Sequence, residues 1–217
     1  MSSLRMIVGR GFLIALLVAG SVSYEVLNRP AGQLHSLATP FDTLLPFVPL
    51  FAIPYLLFLP FLLFTFLLLG FTNWARFRTL AIATILTFIA ADLCFLYFQT
   101  VVTRPTVVGD DLGSQLVRFI YAHDQPYNDF PSLHTAGAML CAIAYFRWRS
   151  VYGFLSLPLV LAIIASTVLI RQHVVADVVG GLVLAFVAYG IARRLPSPRG
   201  RAVDLRKRVS ARGARER

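Results

Sequence analysis

Two short runs in this chain combine residue types that can move a phosphoryl group: Pro131-Ser132-Leu133-His134, and Arg171-Gln172-His173 followed by Asp177. The two histidines lie 39 residues apart, and each run stands at the edge of a long apolar segment. Histidine, arginine and aspartate are costly in or beside a bilayer and persist there when they are paired or functional. His173 and Asp177 are four residues apart at the start of an expected helix, which puts them on one face. A carboxylate in that place accepts from one imidazole nitrogen, fixes the tautomer and leaves the other nitrogen to attack. The same spacing also suits a His–Asp pair that only tethers two helices.

His134 is expected on another helix. Alone it reads as a packing residue; as a partner to His173 it can protonate a leaving oxygen, because imidazole titrates near neutral pH. Ser132 and the first amides of that helix can donate to a phosphate, since helix N-termini present unpaired N–H groups. Arg104 and Arg171 can each grip phosphoryl oxygens with a planar, permanently charged fork. The candidate catalytic residues are therefore His173, His134 and Asp177, and the candidate phosphate ligands are Arg104, Ser132 and Arg171. Tyr127, Asn128 and Glu25 are further candidates for lining a headgroup pocket.

The elements that must position these groups follow from the apolar runs. The chain has 217 residues, 58% hydrophobic and 14% charged, with a mean hydropathy of +0.73. Soluble domains are typically about 45–50% apolar and about 25% charged, and crossing hydrocarbon takes about 20 helical residues. The expected fold is an all-α integral membrane bundle of six transmembrane helices over residues 1–192, followed by a basic cytoplasmic tail, 193–217. The spans are read at 7–26, 49–71, 79–99, 132–147, 151–170 and 174–192, with a Pro-rich interfacial approach at 40–49. Pro54 and Pro60 are expected to kink the second span, a cost that neighbouring helices absorb. The fourth is short for a full crossing, so its first turn belongs to the polar site. The first span also resembles a signal peptide, but its apolar run continues to Val26 and reads as an uncleaved anchor.

Sixteen of the twenty basic residues, including Arg5, Arg10, Arg76, Arg78, Arg147, Arg149 and ten after residue 192, fall on one side of six spans. That excess marks the cytoplasmic face and puts both termini inside. The net charge of +10 thus reads as a topology signal that touches anionic lipid, with no nucleic-acid partner. Arg104, the Ser132–His134 run and the Arg171–Asp177 run then share the extracytoplasmic side. Cys94 and Cys141 lie inside apolar runs, and no cluster of metal ligands is apparent, so neither disulfide, metal nor cofactor is expected. Asp92 lies roughly 15 Å along the third span from its outer end; an acid at that depth is a functional candidate, or a structural hydrogen bond.

Pro131-Ser132-Leu133-His134, Ser166-x6-His173-x-x-x-Asp177 and the upstream Arg104-Pro105 together resemble the three signatures of the type 2 phosphatidic acid phosphatase superfamily. The stretch from Asp124 to His134, with Arg171-Gln172-His173, is similar in particular to its inositol phosphorylceramide synthase-like branch. The resemblance implies a metal-independent reaction through a phosphohistidine: His173 as nucleophile, Asp177 as its orienting carboxylate, and His134 as general acid and later base. It implies a membrane-embedded lipid phosphatase, or alternatively a phosphotransferase that passes a phospho-headgroup to an alcohol. Its partners would be a lipid phosphate and membrane lipids, and its setting a bacterial plasma membrane with the site facing outward.

Three positions depart from the signatures. Tyr97 stands where the first usually has lysine, Leu133 where the second has glycine, and Thr167 where the third has arginine. Arg171, four residues after Thr167, would lie on the same helical face and substitute. The reduced positive charge favours a phosphodiester or pyrophosphate-linked lipid over a doubly charged phosphomonoester. Two rivals from other classes are a transporter, which would spread ionisable residues along a midplane path, and a non-catalytic lipid-binding membrane protein.

Overall fold

The computed structural model describes residues 3–196, with side chains from residue 8 onward. The side chain of Arg5 and the tail beyond residue 196 lie outside the described residues. The chain folds into eight α-helices there: α1 (Ser3–Leu27), α2 (Pro40–Leu44), α3 (Ala52–Thr72, entered by a 3-10 turn Pro49–Phe51), α4 (Trp74–Tyr97), α5 (Leu112–His123), α6 (Leu133–Trp148), α7 (Ser150–Leu169) and α8 (Val175–Arg194). Among the described residues the protein is all-helical, as expected, with a lone β-bridge between His35 and Thr100.

Five segments are long and apolar enough to cross a membrane: Val8–Leu27, Pro49–Thr72, Trp74–Tyr97, Ser150–Leu169 and Val175–Arg194. The expected fourth span coincides with α6, which is a helix but not one of these five: its 16 residues reach only about 24 Å at ~1.5 Å per residue. α4 starts five residues earlier than the basic Arg76 and Arg78 suggest, because the Asn73 side chain caps it by accepting from the Arg76 N–H at 3.2 Å. Pro60 lies inside α3. Pro54 falls in its first turn, where a missing N–H removes no helical bond, so only Pro60 interrupts the ladder. Both cysteines are unpaired thiols.

α6 is the central helix and touches α3, α4, α7 and α8. Its Ala136, Gly137, Ala138, Ala142 and Ala144 are buried, and such small side chains let neighbouring backbones approach closely. One main core joins α3, α4, α6 and α8 around Leu69, Leu80, Leu140 and Ala185. α1 packs along α4 and stands apart from α3 and α6.

α5 was not anticipated, although its signal was legible. Asp111 caps it by accepting from the Ser114 N–H at 3.0 Å, and Leu112, Leu116, Val117, Ile120 and Tyr121 recur at helical spacing. Its Val117 and Ile120 bury against Ala52, Tyr55 and Ile170, so α5 lies across the end of the bundle that carries the histidines.

α6 and α8 begin side by side. The Ser132 N–H donates to the Asp177 carbonyl at 3.1 Å. A Cβ placed on Gly181 would stand 2.5 Å from the Ser132 carbonyl oxygen, so only glycine allows this approach. Gly181→Ala is expected to push the two helices apart and destabilise the protein by about 1–3 kcal/mol, read as a lower unfolding midpoint in detergent. Gly190→Ala, where a Cβ meets nothing within 4 Å, serves as the matched control and should leave the midpoint unchanged or slightly raised.

Candidate active site

His173 sits in the turn between α7 and α8, just before the first residues of α8. Helix α7 ends at Leu169, and the N–H groups of Gln172 and His173 both donate to the Thr167 carbonyl at 2.9 Å. That turn needs Arg171 in the left-handed region, φ 56°, a conformation costing a non-glycine residue of order 1 kcal/mol. The expectation that Arg171 lies one helical turn beyond Thr167 is corrected here: the helix has already stopped, and the left-handed turn sends the side chain elsewhere.

Asp177 is fully buried in the first turn of α8. One of its oxygens, Oδ2, accepts from the Val174 N–H at 2.9 Å and lies 3.4 Å from His173 Nδ1. The alignment with Nδ1 is too poor for a hydrogen bond, but the carboxylate faces that nitrogen and leaves Nε2 unclaimed. A helix-capping acid thus also stands beside the histidine.

His134 is the second residue of α6. Its ring stacks on Tyr55 at 4.1 Å, is flanked by Phe58 at 4.5 Å, and stands 6.4 Å from the His173 ring, all between centroids. The two histidines, 39 residues apart in sequence, are therefore neighbours. Ser132 is the N-cap of α6: its Oγ accepts from the Thr135 N–H at 3.3 Å, and its hydroxyl proton has no assigned acceptor.

Arg104, Arg171 and His173 line one cleft of about 420 Å³, together with Asp42, Val102 and Pro105. Both guanidinium groups are tethered. Arg104 donates to the carbonyls of Tyr121, at 3.3 Å, and Asp124, at 2.6 Å, at the negative end of the α5 dipole, and lies 4.6 Å over the Tyr121 ring. Its Nε is buried without a partner. Arg171 donates to the carbonyls of Asp42 and Leu45.

Tyr127 and Asn128 do not line this cleft. The Tyr127 N–H donates to Asn28 at 3.2 Å, and the Asn128 amide donates to the Tyr24 carbonyl at 3.1 Å, so both secure the end of α1. Glu25 lines a separate apolar cavity beside His134. Asp92 accepts from Ser23 of α1 at 2.7 Å, a helix–helix hydrogen bond away from the histidines.

Three acids missed by sequence reasoning shape the site. Asp124 receives Tyr24 (2.6 Å), Asn28 (3.0 Å), Tyr55 (2.7 Å) and Gln172 (3.3 Å) on its carboxylate. Asp42 accepts from the Val175 N–H at 2.7 Å and from Thr39. Burial alone would raise its carboxyl, but those hydrogen bonds and the nearby Arg171 hold it below the usual carboxylate range. The pattern Thr39-Pro40-x-Asp42 was a capping signature that could have found it. Asp129 is buried, and burial together with the neighbouring Asp177 and Asp124 pushes it up to about 9, with Arg104 pulling the other way.

A family model of the PAP2 superfamily matches residues 35–191, and the chain belongs to that superfamily. This membership supports phosphatase- or phosphotransferase-type chemistry in an integral membrane protein. An uncharacterized protein of Methanocaldococcus jannaschii is 25% identical over 110 residues, covering 51% of this chain and 46% of the relative. The chain thus spans about half the length of that curated relative. No solved structure matches the chain.

Asp129 yields a pH prediction. Its folded value, about 9, is above that of an unfolded carboxyl, about 3.9, so the folded state holds the extra proton. The stability this confers is fully present below about pH 4 and is lost as pH rises towards 9. Asp129→Asn is expected to stabilise the protein at pH 8 by on the order of 1–3 kcal/mol, read as a higher unfolding midpoint, and to leave the midpoint unchanged near pH 4. A midpoint difference that does not vary with pH would show that Asp129 is ionised in the folded protein.

Proposed function

We propose that the protein is a metal-independent lipid phosphatase that works through a phosphohistidine at the extracytoplasmic face of a bacterial plasma membrane. The observation that carries this reading is the closeness of His173 and His134, whose rings lie 6.4 Å apart between centroids and tilted by 57°, with Asp177 behind the first. Reacting atoms stand about 3–3.5 Å apart in a near-attack geometry, so rings 6.4 Å apart can address one phosphorus and its leaving oxygen from opposite sides.

In the first step His173 Nε2 attacks phosphorus, the P–N bond forms, and the P–O bond to the lipid alcohol breaks. His134 gives its proton to the departing oxygen. The carboxylate of Asp177 stabilises the positive charge that develops on His173. Arg104 and Arg171 face the phosphoryl oxygens from the cleft, whereas Ser132 is fully buried outside the cleft lining and caps α6. In the second step His134, now neutral, takes a proton from water as it attacks, and the P–N bond breaks to release phosphate. The basic residues distributed towards the opposite helix ends support the outward orientation of the site.

A second reading, a phosphotransferase like the inositol phosphorylceramide synthase branch, differs only in the acceptor, an alcohol in place of water. It is favoured by the charge of the site. Asp42 lies beside Arg171 and Asp124 beside Arg104, both arginine forks are already tethered to carbonyls, and a singly charged phosphodiester demands less compensation than a phosphomonoester.

The test is phosphate release by purified protein in detergent, with EDTA, against a panel of lipid phosphates, pyrophosphates and phosphodiesters. Release that persists in EDTA, vanishes in His173→Ala and slows about 10²–10⁴-fold in His134→Gln is expected. Release abolished by EDTA, or retained by His173→Ala, would sink the phosphohistidine route. Turnover of a phosphodiester only when an alcohol is added would establish the transferase.

A further inference from the structure

The two histidines are provided for differently. His173 has a carboxylate facing Nδ1, that of Asp177 at 3.4 Å. Among the described residues no acid pairs with His134; its near neighbours are rings. Tyr55 lies almost parallel to it, with centroids 4.1 Å and planes 21° apart, and Phe58 leans against it at 43°. Yet His134 is the group that must hold a proton in the reaction proposed above. An imidazolium walled by rings loses hydration that something else has to replace.

Tyr55 is more than a hydrocarbon wall. Its hydroxyl donates to Asp124 Oδ2 at 2.7 Å and accepts from Gln172 Nε2 at 3.2 Å. One ring thus separates a carboxylate from the imidazole. The face of an aromatic ring is negative and attracts a cation laid over it. A phenol whose proton is drawn towards a carboxylate has more electron density to offer that cation. Phe58, with no polar handle, lacks this support.

The other charges around His134 do not replace the pair. From α1, Tyr24 and Glu25 line the same cavity as His134, but Tyr24 gives its hydroxyl to Asp124 Oδ1 at 2.6 Å and Glu25 is exposed. The α4 wall of that cavity, Thr84, Thr87 and Phe88, is uncharged, and Asp92 of α4 is engaged by Ser23. α7 offers only Tyr152, at the opposite end of the bundle. Asp177 of α8 is committed to the Val174 N–H and to His173. Arg104 is bound to the Asp124 carbonyl, and His173, when protonated, opposes a second positive charge 6.4 Å away.

We propose that Tyr55, with Asp124 behind it, is a positioning pair for His134: the ring fixes the imidazole by stacking and favours its protonated form, ready to give a proton to the departing lipid alcohol. This rests on the phosphoryl-transfer reading above and deepens it by naming what keeps the general acid charged. The same bias serves the second step, in which neutral His134 takes a proton from the attacking water.

Two measurements on the full chain in detergent test the pair. The first needs no turnover. The protein has four histidines, and NMR of ¹³C-labelled imidazoles follows the titration of each, His134 being identified by the signal that His134→Gln removes. Asp124→Asn and Tyr55→Leu are expected to lower the His134 midpoint by about 0.5–1 pH unit. Tyr55→Phe, which keeps the ring and loses the hydroxyl, is expected to lower it less. A midpoint that stays or rises in folded Tyr55→Leu or Asp124→Asn would show that the ring is only an apolar wall and overturn the inference. Should both of those variants fail to fold, Tyr55→Phe decides, and an unmoved midpoint there overturns it.

The second measurement is the pH dependence of kcat/KM for a lipid phosphate that the wild-type protein hydrolyses. The alkaline limb reports the general acid of the free enzyme. In Tyr55→Leu that limb is expected to move down by the same amount, with the acid limb in place and activity partly recovered at lower pH. A profile lowered at every pH with neither limb displaced would mark Tyr55 as packing alone and sink the proposal. If the wild-type protein releases phosphate from no lipid, the phosphatase reading falls while the titration still decides the pair.

Discussion

The carboxylate of Asp124 is the junction on which the polar end of this bundle depends. It draws hydrogen bonds from Tyr24 of α1, Asn28 just beyond that helix, Tyr55 of α3 and Gln172 in the turn after α7, and its own carbonyl receives Arg104. A half-buried carboxylate is tolerable only where donors replace its lost hydration, and here four do so. Because those donors come from separate elements, satisfying one charge draws the helix ends together. Tyr55, held by this contact, is the ring on which His134 stacks; Gln172, held by it, adjoins His173 in sequence. Both histidines thus inherit their positions from an acid that touches neither.

Asp177 plays a comparable double part on the other side. It caps α8 through the Val174 N–H and faces His173 Nδ1 with the same oxygen, while its carbonyl ties down the start of α6 through Ser132. Helix termini require such partners for their unpaired N–H groups. The chain meets that need with residues that also carry the site's charge. The consequence is rigidity where two side chains must be held to within a fraction of an ångström.

The cleft is less positive than its two arginines suggest. Each guanidinium already serves backbone carbonyls, and four acids lie close by. The tethering pre-orients the arginines, which lowers the entropy lost on gripping an anion, while the acids limit the total charge the cleft can neutralise. Asp129, disfavoured as an anion first by its burial and then by Asp177 and Asp124, adds no further charge because it keeps its proton.

Much of this was legible from the chain alone. Long apolar runs located α1, α3, α4, α7 and α8 to within a few residues, because a helix in lipid must satisfy its backbone internally and its length is set by the bilayer. The types and spacing of His134, His173, Asp177, Arg104 and Arg171 pointed to phosphate chemistry, since so few other reasons place these groups beside hydrocarbon. Other features were decided only in three dimensions. Arg171 left its expected helical face because α7 ends two residues before it. Tyr127 and Asn128 turned to the end of α1, and Asp124, Asp129 and Asp42 entered the site from loops that carry no periodic signal. Local sequence records what each segment needs for its own helix and for lipid; the partner that a loop carboxylate finds depends on which helix ends converge, and that convergence is a property of the packed bundle.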